Sequence, residues 1–563
     1  MSSTSDIERI SSGESGKQPQ LSHDTEFSKG KEDRKIDVIS LESGGTDEET
    51  LNDPNPFLEP KIAEYYRQIY EDSQYECRGE FDPYFKWTPE EEKKLVRKLD
   101  YRVALTSCIL FVALQVDRGN ISQAVSDNML DDLNMTTNDY NLGNTLFYVS
   151  FLAAEIPMSL VSKKMGPDVF IPLQILGFSL VAAAQFWLVD KTGFLICRVL
   201  LGFLEGSLIA DLVIWLSYFY KSKELPIRLS WFWTTLSLVT ISTSLLAFGL
   251  LRLRGLHGRA GWRWLFLIEG LFTFCIGIAS FYLMVPSAVQ TKNWLHPKGW
   301  FNDREVKIVV NRVLRDDPSK GDMHNRQAVS FRGFWKSILD YDLWPIYIIG
   351  VTAYCSMNTT QPYLTLTLKQ IGFSTFNVNL LTIPATVIHI ILLLIITWVS
   401  ERINERALLS LVVPLWNIPI LAALAFWKGT NVNVWGTFML YTLIVGQPYI
   451  HAICVSWCSR NSNSIRSRSL SAAIYNIFVQ IGSIYSNNIY RTDDAPLYRR
   501  ANKTLFGLTF LLIPIFVGTK FYYIWRNNSK AKIWDAMTIE EKEQYLHDNK
   551  DLGNKRLDFR FAH

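Results

Sequence analysis

Residues 103–123 read VALTSCILFVALQVDRGNISQ. From Val103 to Val116 the run carries no charge, and it closes on Asp117 and Arg118 side by side. A helix rises about 1.5 Å per residue, so roughly twenty such residues cross a hydrocarbon core about 30 Å thick. Working outward, 101–121 is the first of twelve comparable stretches. The others are 140–160, 169–189, 193–219, 229–251, 263–285, 343–366, 376–399, 407–427, 434–458, 470–490 and 503–525. The pattern predicts an all-α polytopic membrane protein, with twelve transmembrane helices in two six-helix pseudo-symmetric bundles.

The polar remainder sets the expected organisation. Residues 1–98 are expected to be a cytosolic N-terminal tail, with 1–80 disordered, because polar and charged residues crowd its start. The bundles span 99–285 and 343–525, a cytosolic loop fills 286–342, and a cytosolic tail covers 526–563. "NDREVKIVVNRVLRDD" in the loop has amphipathic spacing and is read as a short helix outside the bilayer. "VSKKMGPD" (161–168) and "VSERINER" (399–406) follow the second and eighth spans and echo one another across the halves.

Orientation comes from the first span. The short inner loops hold ten Lys and Arg and the short outer loops eleven, so they do not decide. Lys93, Lys94, Arg97, Lys98 and Arg102 precede the first span, whereas residues 121–140 hold four Asp and no Lys or Arg. The positive-inside rule then places both termini in the cytosol.

Charges inside the spans are the chemical signal, because each costs about 2.5–3.5 kcal/mol at a helix centre on insertion scales. Asp117 and Arg118 point about 100° apart and cannot pair with one another, so each needs a partner elsewhere. Asn120 and Ser122 extend that polar patch. In "RVLLGFLEG" (198–206), Arg198, Gly202 and Glu205 share a helix face. Arg198 and Glu205 are roughly 10 Å apart, too far for a direct bond but close enough to be bridged. Asn144 and Tyr148 lie one turn apart in span two. Glu155 sits toward its inner end, beside Lys163 and Lys164. The second half offers neutral donors: Asn358, Thr359 and Gln361 before Pro362, His389, Gln447 and His451 around Pro448, and Asn476 and Gln480. Two arginines invite an anion, and two buried carboxylates can carry protons. The static alternative, a salt network between helices, uses the same residues.

These stretches resemble the major facilitator superfamily and, within it, the anion:cation symporter family in its fungal allantoate-permease branch. The similarity rests on "DRGN" (117–120), "NDYNLGNTLFYVSFLAAEIP" (138–157), "RVLLGFLEG" (198–206), "LSYFYKSKELPIRLS" (216–230) and "GWRWLFLIEG" (261–270), and covers about residues 95–530. The resemblance implies proton-coupled uptake of a small anion by alternating access: a sulfonate or sulfur oxyanion, a ureide such as allantoate, or a vitamin carboxylate. It implies Asp117 and Glu205 as proton carriers, Arg118 as the first anion ligand and Arg198 as the group holding Glu205. Asn120, Asn144, Tyr148, Asn358, Gln361, His451, Asn476 and Gln480 are the expected further substrate contacts. Asp211 and the Glu401/Arg402 turn are the expected gates. "SKKMGPD" departs from the superfamily's usual loop after the second helix, and span five lacks the proline typical of antiporters, which favours symport.

Other classes fit less well. A drug or organic-ion exporter would want the acids without the arginines. A transporter-like nutrient sensor usually carries a longer signalling tail. Enzyme motifs such as HExxH, GxSxG or a P-loop are absent, so no enzyme is expected. Seven cysteines without metal-ligand spacing read as apolar packing residues, and no metal or cofactor is expected. A net charge of +3 gives no case for nucleic acid. The expected partners are protons, a small anion and the plasma-membrane bilayer, with the protein a monomer.

Overall fold

The computed structural model describes residues 55–221, 224–292, 294, 297–321, 338–403, 405–462, 465–548 and 554–563. All of these lie in the unit Thr46–His563, and the other unit, Met1–Gly45, falls outside the described residues. Among the described residues the secondary structure is helical, with no strand. The helices are α1 (Pro60–Asp72), α2 (Pro89–Leu99), α3 (Leu105–Ser126), α4 (Met129–Asp132), α5 (Thr137–Met165), α6 (Pro167–Ala184), α7 (Lys191–Glu205), α8 (Leu208–Ser217), α9 (Leu225–Leu250), α10 (Gly261–Leu283) and α11 (Asp303–Asp316). After 322–337, which lies outside the described residues, come α12 (Trp344–Thr352), α13 (Cys355–Thr360), α14 (Leu364–Gln370), α15 (Thr375–Leu381), α16 (Ile383–Ile403) and α17 (Ala407–Ser410). They are followed by α18 (Val412–Phe426), α19 (Val434–Val445), α20 (His451–Asn461), α21 (Ile465–Ser486), α22 (Arg499–Asp535) and α23 (Ile539–Asp548).

Local chemistry fixes the helix ends. Thr136 and Asp139 form a capping box at the start of α5, and Asp190 Oδ1 accepts from Gly193 N at 2.9 Å to open α7. Gly166, at φ 94°, turns the chain between α5 and α6 and hands over to Pro167, whose missing N–H costs nothing at the first helical position.

Nine helical stretches among the described residues are long and apolar enough to cross a membrane. Three expected spans are not in that set, and each has a physical reason. Span 343–366 is broken at Ala353–Tyr354 and again at Gln361–Tyr363, around Pro362. Span 434–458 loses helix from Gly446 to Ile450, where Pro448 removes a donor. Span 470–490 falls largely on α21, which is continuous but whose apolar residues are diluted by serines, Asn476 and Gln480. The break at Pro448 also undoes the expected shared face of Gln447 and His451.

Within the first set of helices, α10 packs on α3 and α6, α5 on α7, and α3 on α9. Within the second, α18 packs on α22, and α21 on α12 and α20. Gly202 allows the α5–α7 approach: a Cβ there would fall 2.2 Å from Phe147 O and 2.2 Å from Ser150 Oγ.

The expectation of disorder up to residue 80 does not hold for residues 55–80. Phe57, Tyr70, Tyr75 and Phe81 are buried, and the segment docks on the amphipathic helix α11. Asn311 Oδ1 accepts from Asp82 N at 2.8 Å, and Asn311 Nδ2 donates to Glu80 O at 2.9 Å. Arg304 bonds Glu91 (Nε–Oε1 2.7 Å), Lys98 bonds Glu305 at 2.7 Å, and buried Arg312 meets Glu224. The remaining 1–54 of that expected tail lie outside the described residues. At the other terminus, 554–563 fold back onto the second set. Trp457 Nε1 donates to Ala562 O at 2.8 Å, and Phe561 stacks on Tyr523.

Candidate functional site

Two charged residues of the spans meet across neighbouring helices. Arg118 of α3 reaches α7, where its Nε lies 2.6 Å from Glu205 Oε2. Glu205 is 1% exposed and Arg118 22%, so the pair has a buried acidic end and an accessible basic end. Glu205 is the last residue of α7. Gly206 and Ser207 interrupt the helix there, and Gln174 of α6 donates to the freed carbonyl of Leu204 at 2.9 Å.

Arg198 makes no direct bond to Glu205 among the described residues, as their two-turn separation predicts, but it stays within electrostatic range of it. Its Nη2 donates to Asn144 Oδ1 at 3.2 Å, and its guanidinium lies 4.4 Å from the Phe147 ring centre. Arg118 stands over Phe151 at 5.0 Å and over the same Phe147 at 5.7 Å. The two arginines therefore share an aromatic floor. Arg118 Nη2 and Arg198 Nε are buried without a hydrogen-bond partner. Tyr148 lies within electrostatic range of Arg118, Arg198 and Glu205.

Asp117 turns the other way, as adjacent residues on a helix must. Its Oδ2 accepts from Thr273 Oγ1 of α10 at 3.4 Å. Glu269, one turn earlier on α10, is 2% exposed, and neither of its oxygens has a hydrogen-bond partner. Asn120 of α3 faces it and is itself buried. The sequence reading passed over Glu269, although it quoted the run "GWRWLFLIEG". The rule that singled out Asp117, the cost of a charge in a span, applies equally to this carboxylate.

The expected contacts of the second half are dispersed. Asn358 Nδ2 donates to Ser483 Oγ at 2.9 Å, Thr359 Oγ1 donates to Ser486 O at 2.9 Å, and Gln361 stands exposed. Asn476 and Gln480 are half-buried on α21. His451 belongs to a ring cluster: it stacks on Tyr449 (5.7 Å, 16°) and approaches Tyr354 and Tyr475. Tyr449 is within electrostatic range of Tyr148, which connects this cluster to the arginines.

Of the expected gates, Asp211 is buried and accepts from Ser159 Oγ at 3.3 Å within the first set. Arg402 is exposed over Trp398, and the Glu401 side chain lies outside the described residues. The hydrogen bonds between the sets, among the described residues, fall at the end carrying loop 121–140. Asn141 Nδ2 donates to Tyr490 O at 2.6 Å, Thr137 and Thr492 hydroxyls meet at 2.6 Å, and Asn488 Nδ2 donates to Thr145 Oγ1 at 2.8 Å. The Tyr363 hydroxyl bonds Asn141, Thr365 Oγ1 donates to Ser122 O at 2.5 Å, and Lys369 Nζ donates to Ser126 O at 2.9 Å. The sets are latched at that end, and Arg118 and Glu205 lie deeper.

Buried charge between long apolar helices marks a functional site in a membrane protein, and the comparisons give its class. The family model described as Major Facilitator Superfamily matches residues 107–486. The chain is 45% identical over 527 residues to the uncharacterized transporter YIL166C of Saccharomyces cerevisiae, covering 93% of this chain and 97% of that one. It is 26% identical over 422 residues to the major facilitator-type transporter hxnP of Emericella nidulans, covering 73% of this chain and 81% of that one. Among solved structures, the partially occluded inward-open xylose transporter XylE of E. coli matches with a TM-score of 0.54 at 13% identity, covering 73% of this chain and 96% of that one. The bacterial homolog of the human lysosomal transporter Spinster matches at 0.57 and 12% identity, covering 74% and 96%. The chain belongs to the major facilitator superfamily.

Proposed function

We propose that this transporter carries a small anion together with protons, inward across the plasma membrane, with both termini in the cytosol. The observation that carries the reading is the charge balance around Phe147. Two guanidinium groups, Arg118 and Arg198, are met there by one carboxylate, Glu205. One positive charge is left over, and both arginines retain unpartnered donors. A carboxylate, sulfonate or oxyanion supplies the missing charge and can accept two parallel N–H bonds. The ring cluster around Tyr449 and His451 supplies the opposite wall.

Coupling follows from competition for Arg118. An anion that takes Arg118 leaves Glu205 without its cation, and a buried carboxylate without a cation takes a proton. Anion entry against a potential that is negative inside costs about 2.3 kcal/mol per charge per 100 mV, and accompanying protons offset it. In this scheme the halves 99–285 and 343–525 rock about the site, with the Asn141–Tyr363 latch closing the outer side and the tails and 286–342 loop on the inner side.

The test is uptake of sole sulfur or nitrogen anions at several external pH values, in cells lacking their own carriers. Uptake that ignores the pH gradient refutes proton symport, and uptake only of cations refutes the anion site.

A further inference from the structure

Asp117 has no part in the charge balance around Phe147. Among the described residues it makes no ion pair, and neither does Glu269. The charged groups that face Asp117 are Glu205 at the end of α7 and Glu269 on α10. Helices α6, α8, α9, α14 and α15 also pack on α3, and among the described residues none of their charged side chains acts on Asp117; Lys369 of α14 meets α3 further along, at Ser126 O. Glu269 has Asn120 beside it as well as Asp117. Asp117 and Glu269 are 1% and 2% exposed, with Thr273 and Asn120 buried beside them. Three of the four carboxylate oxygens and Asn120 Nδ2 have no hydrogen-bond partner. Two carboxylates closed off from water and paired with no cation strongly disfavour being ionised together.

We propose that Asp117 and Glu269 form a proton-binding site of their own, a buried carboxyl pair on α3 and α10 beside the Arg118–Glu205 pair. The inference rests on the proton-coupled reading and extends it. Glu205 exchanges its proton against an anion at Arg118, whereas Asp117 and Glu269 hold a proton between carboxyls with no arginine involved. A proton suits the site better than a sodium ion. Sodium sites in transporters draw on unwound backbone carbonyls, and α3 and α10 are continuous helix through 117–123 and 269–273. Asn120 stands buried beside Glu269 on one side, and the Thr273 hydroxyl donates to Asp117 Oδ2 at 3.4 Å on the other.

The experiment needs no substrate. Difference infrared spectroscopy of the purified full chain, titrated in sodium-free buffer, reads the C=O stretch of protonated carboxyl groups. The expected result is a titrating carboxylic-acid band that disappears in both Asp117→Asn and Glu269→Gln and persists in Glu205→Gln. Glu269→Asp, which keeps the acid if the amide variant fails to fold, should retain the band at a shifted frequency. A band unaffected by Asp117→Asn and Glu269→Gln, or lost only in Glu205→Gln, overturns the proposal. So does a band abolished by added sodium. Uptake independent of pH with the band intact would instead refute the symport reading and leave the carboxyl pair standing.

Discussion

Arg118 Nε sits 2.6 Å from Glu205 Oε2, joining the first span to the end of α7 across the centre of the first helix set. The bond satisfies a buried acid with a partly exposed base, so either partner can be removed with a distinct outcome. Arg118→Lys keeps the charge but loses the planar fork. Anion uptake should fall at least about tenfold, which corresponds to about 1.4 kcal/mol of lost binding. Surface expression should be unchanged. Normal uptake by Arg118→Lys would remove Arg118 from the anion site.

Glu205→Gln should separate exchange from net transport. The amide still meets Arg118 but carries no proton. Counterflow of labelled against unlabelled anion should continue, while accumulation driven by a pH gradient is lost. Gradient-driven accumulation that survives in Glu205→Gln would place coupling elsewhere.

Gly202→Ala tests the packing that brings α7 against α5. Its Cβ would lie 2.2 Å from a backbone oxygen of Phe147, and backbone cannot rotate away. The overpacking penalty of about 1–3 kcal/mol should appear as a lowered melting temperature in detergent and reduced uptake. Gly249, whose Cβ would meet nothing within 4 Å, is the control, and Gly249→Ala should be silent.

The latch predicts a shift in accessibility. Asn141→Ala removes a donor to Tyr490 O and the partner of the Tyr363 hydroxyl. A Tyr148→Cys reporter in that background should react faster with an impermeant thiol reagent from outside than the same reporter in the wild-type latch. Equal rates would show that the latch does not govern access.

The terminal fold-back makes a pH prediction outside the bilayer. Burial pushes the Asp342 carboxyl up, but bonds from Arg526 (2.9 Å), Lys555 (2.7 Å) and Tyr522 (2.7 Å) outweigh it and hold the group below the usual range. A depressed acid contributes fully above its ordinary value, near 4, and the contribution is lost as pH falls through the lower folded value. Burial lowers Lys555, and its bonds to Asp340 and Asp342 raise it further than burial lowers it, so its share is lost only in strong alkali. Asp342→Asn should cost about 3 kcal/mol at neutral pH. In melting curves that cost should shrink toward acid, and a cost that grew toward acid would contradict the assignment.

Much of this was legible from composition. Apolar runs gave nine of the twelve expected spans, because hydrocarbon thickness dictates their length, and the cost of intramembrane charge singled out Asp117, Arg118, Arg198 and Glu205. The pairing was not legible, since it depends on how α3 is rotated against α7 and no spacing within one helix encodes that. Arg198 and Glu205 share a face, yet Glu205 meets the arginine of another helix. The latch escaped because Asn141, Thr137 and Tyr363 are neutral and unremarkable singly. The folded segment after Asn55 escaped because its aromatic residues are diluted by charge, and its packing partner, α11, lies more than two hundred residues away.

The interruptions at Ala353–Tyr354, Gln361–Tyr363 and Gly446–Ile450 all fall in the second set of helices, where α13 packs on α19. A helix stripped of successive backbone bonds bends at little cost, whereas the unbroken α3, α5, α9 and α10 resist bending. Among the described residues the second set thus has flexible points within two of its expected spans, and the first set has a comparable one at Gly206–Ser207, directly after Glu205. The places where the backbone can yield lie next to polar side chains in both sets.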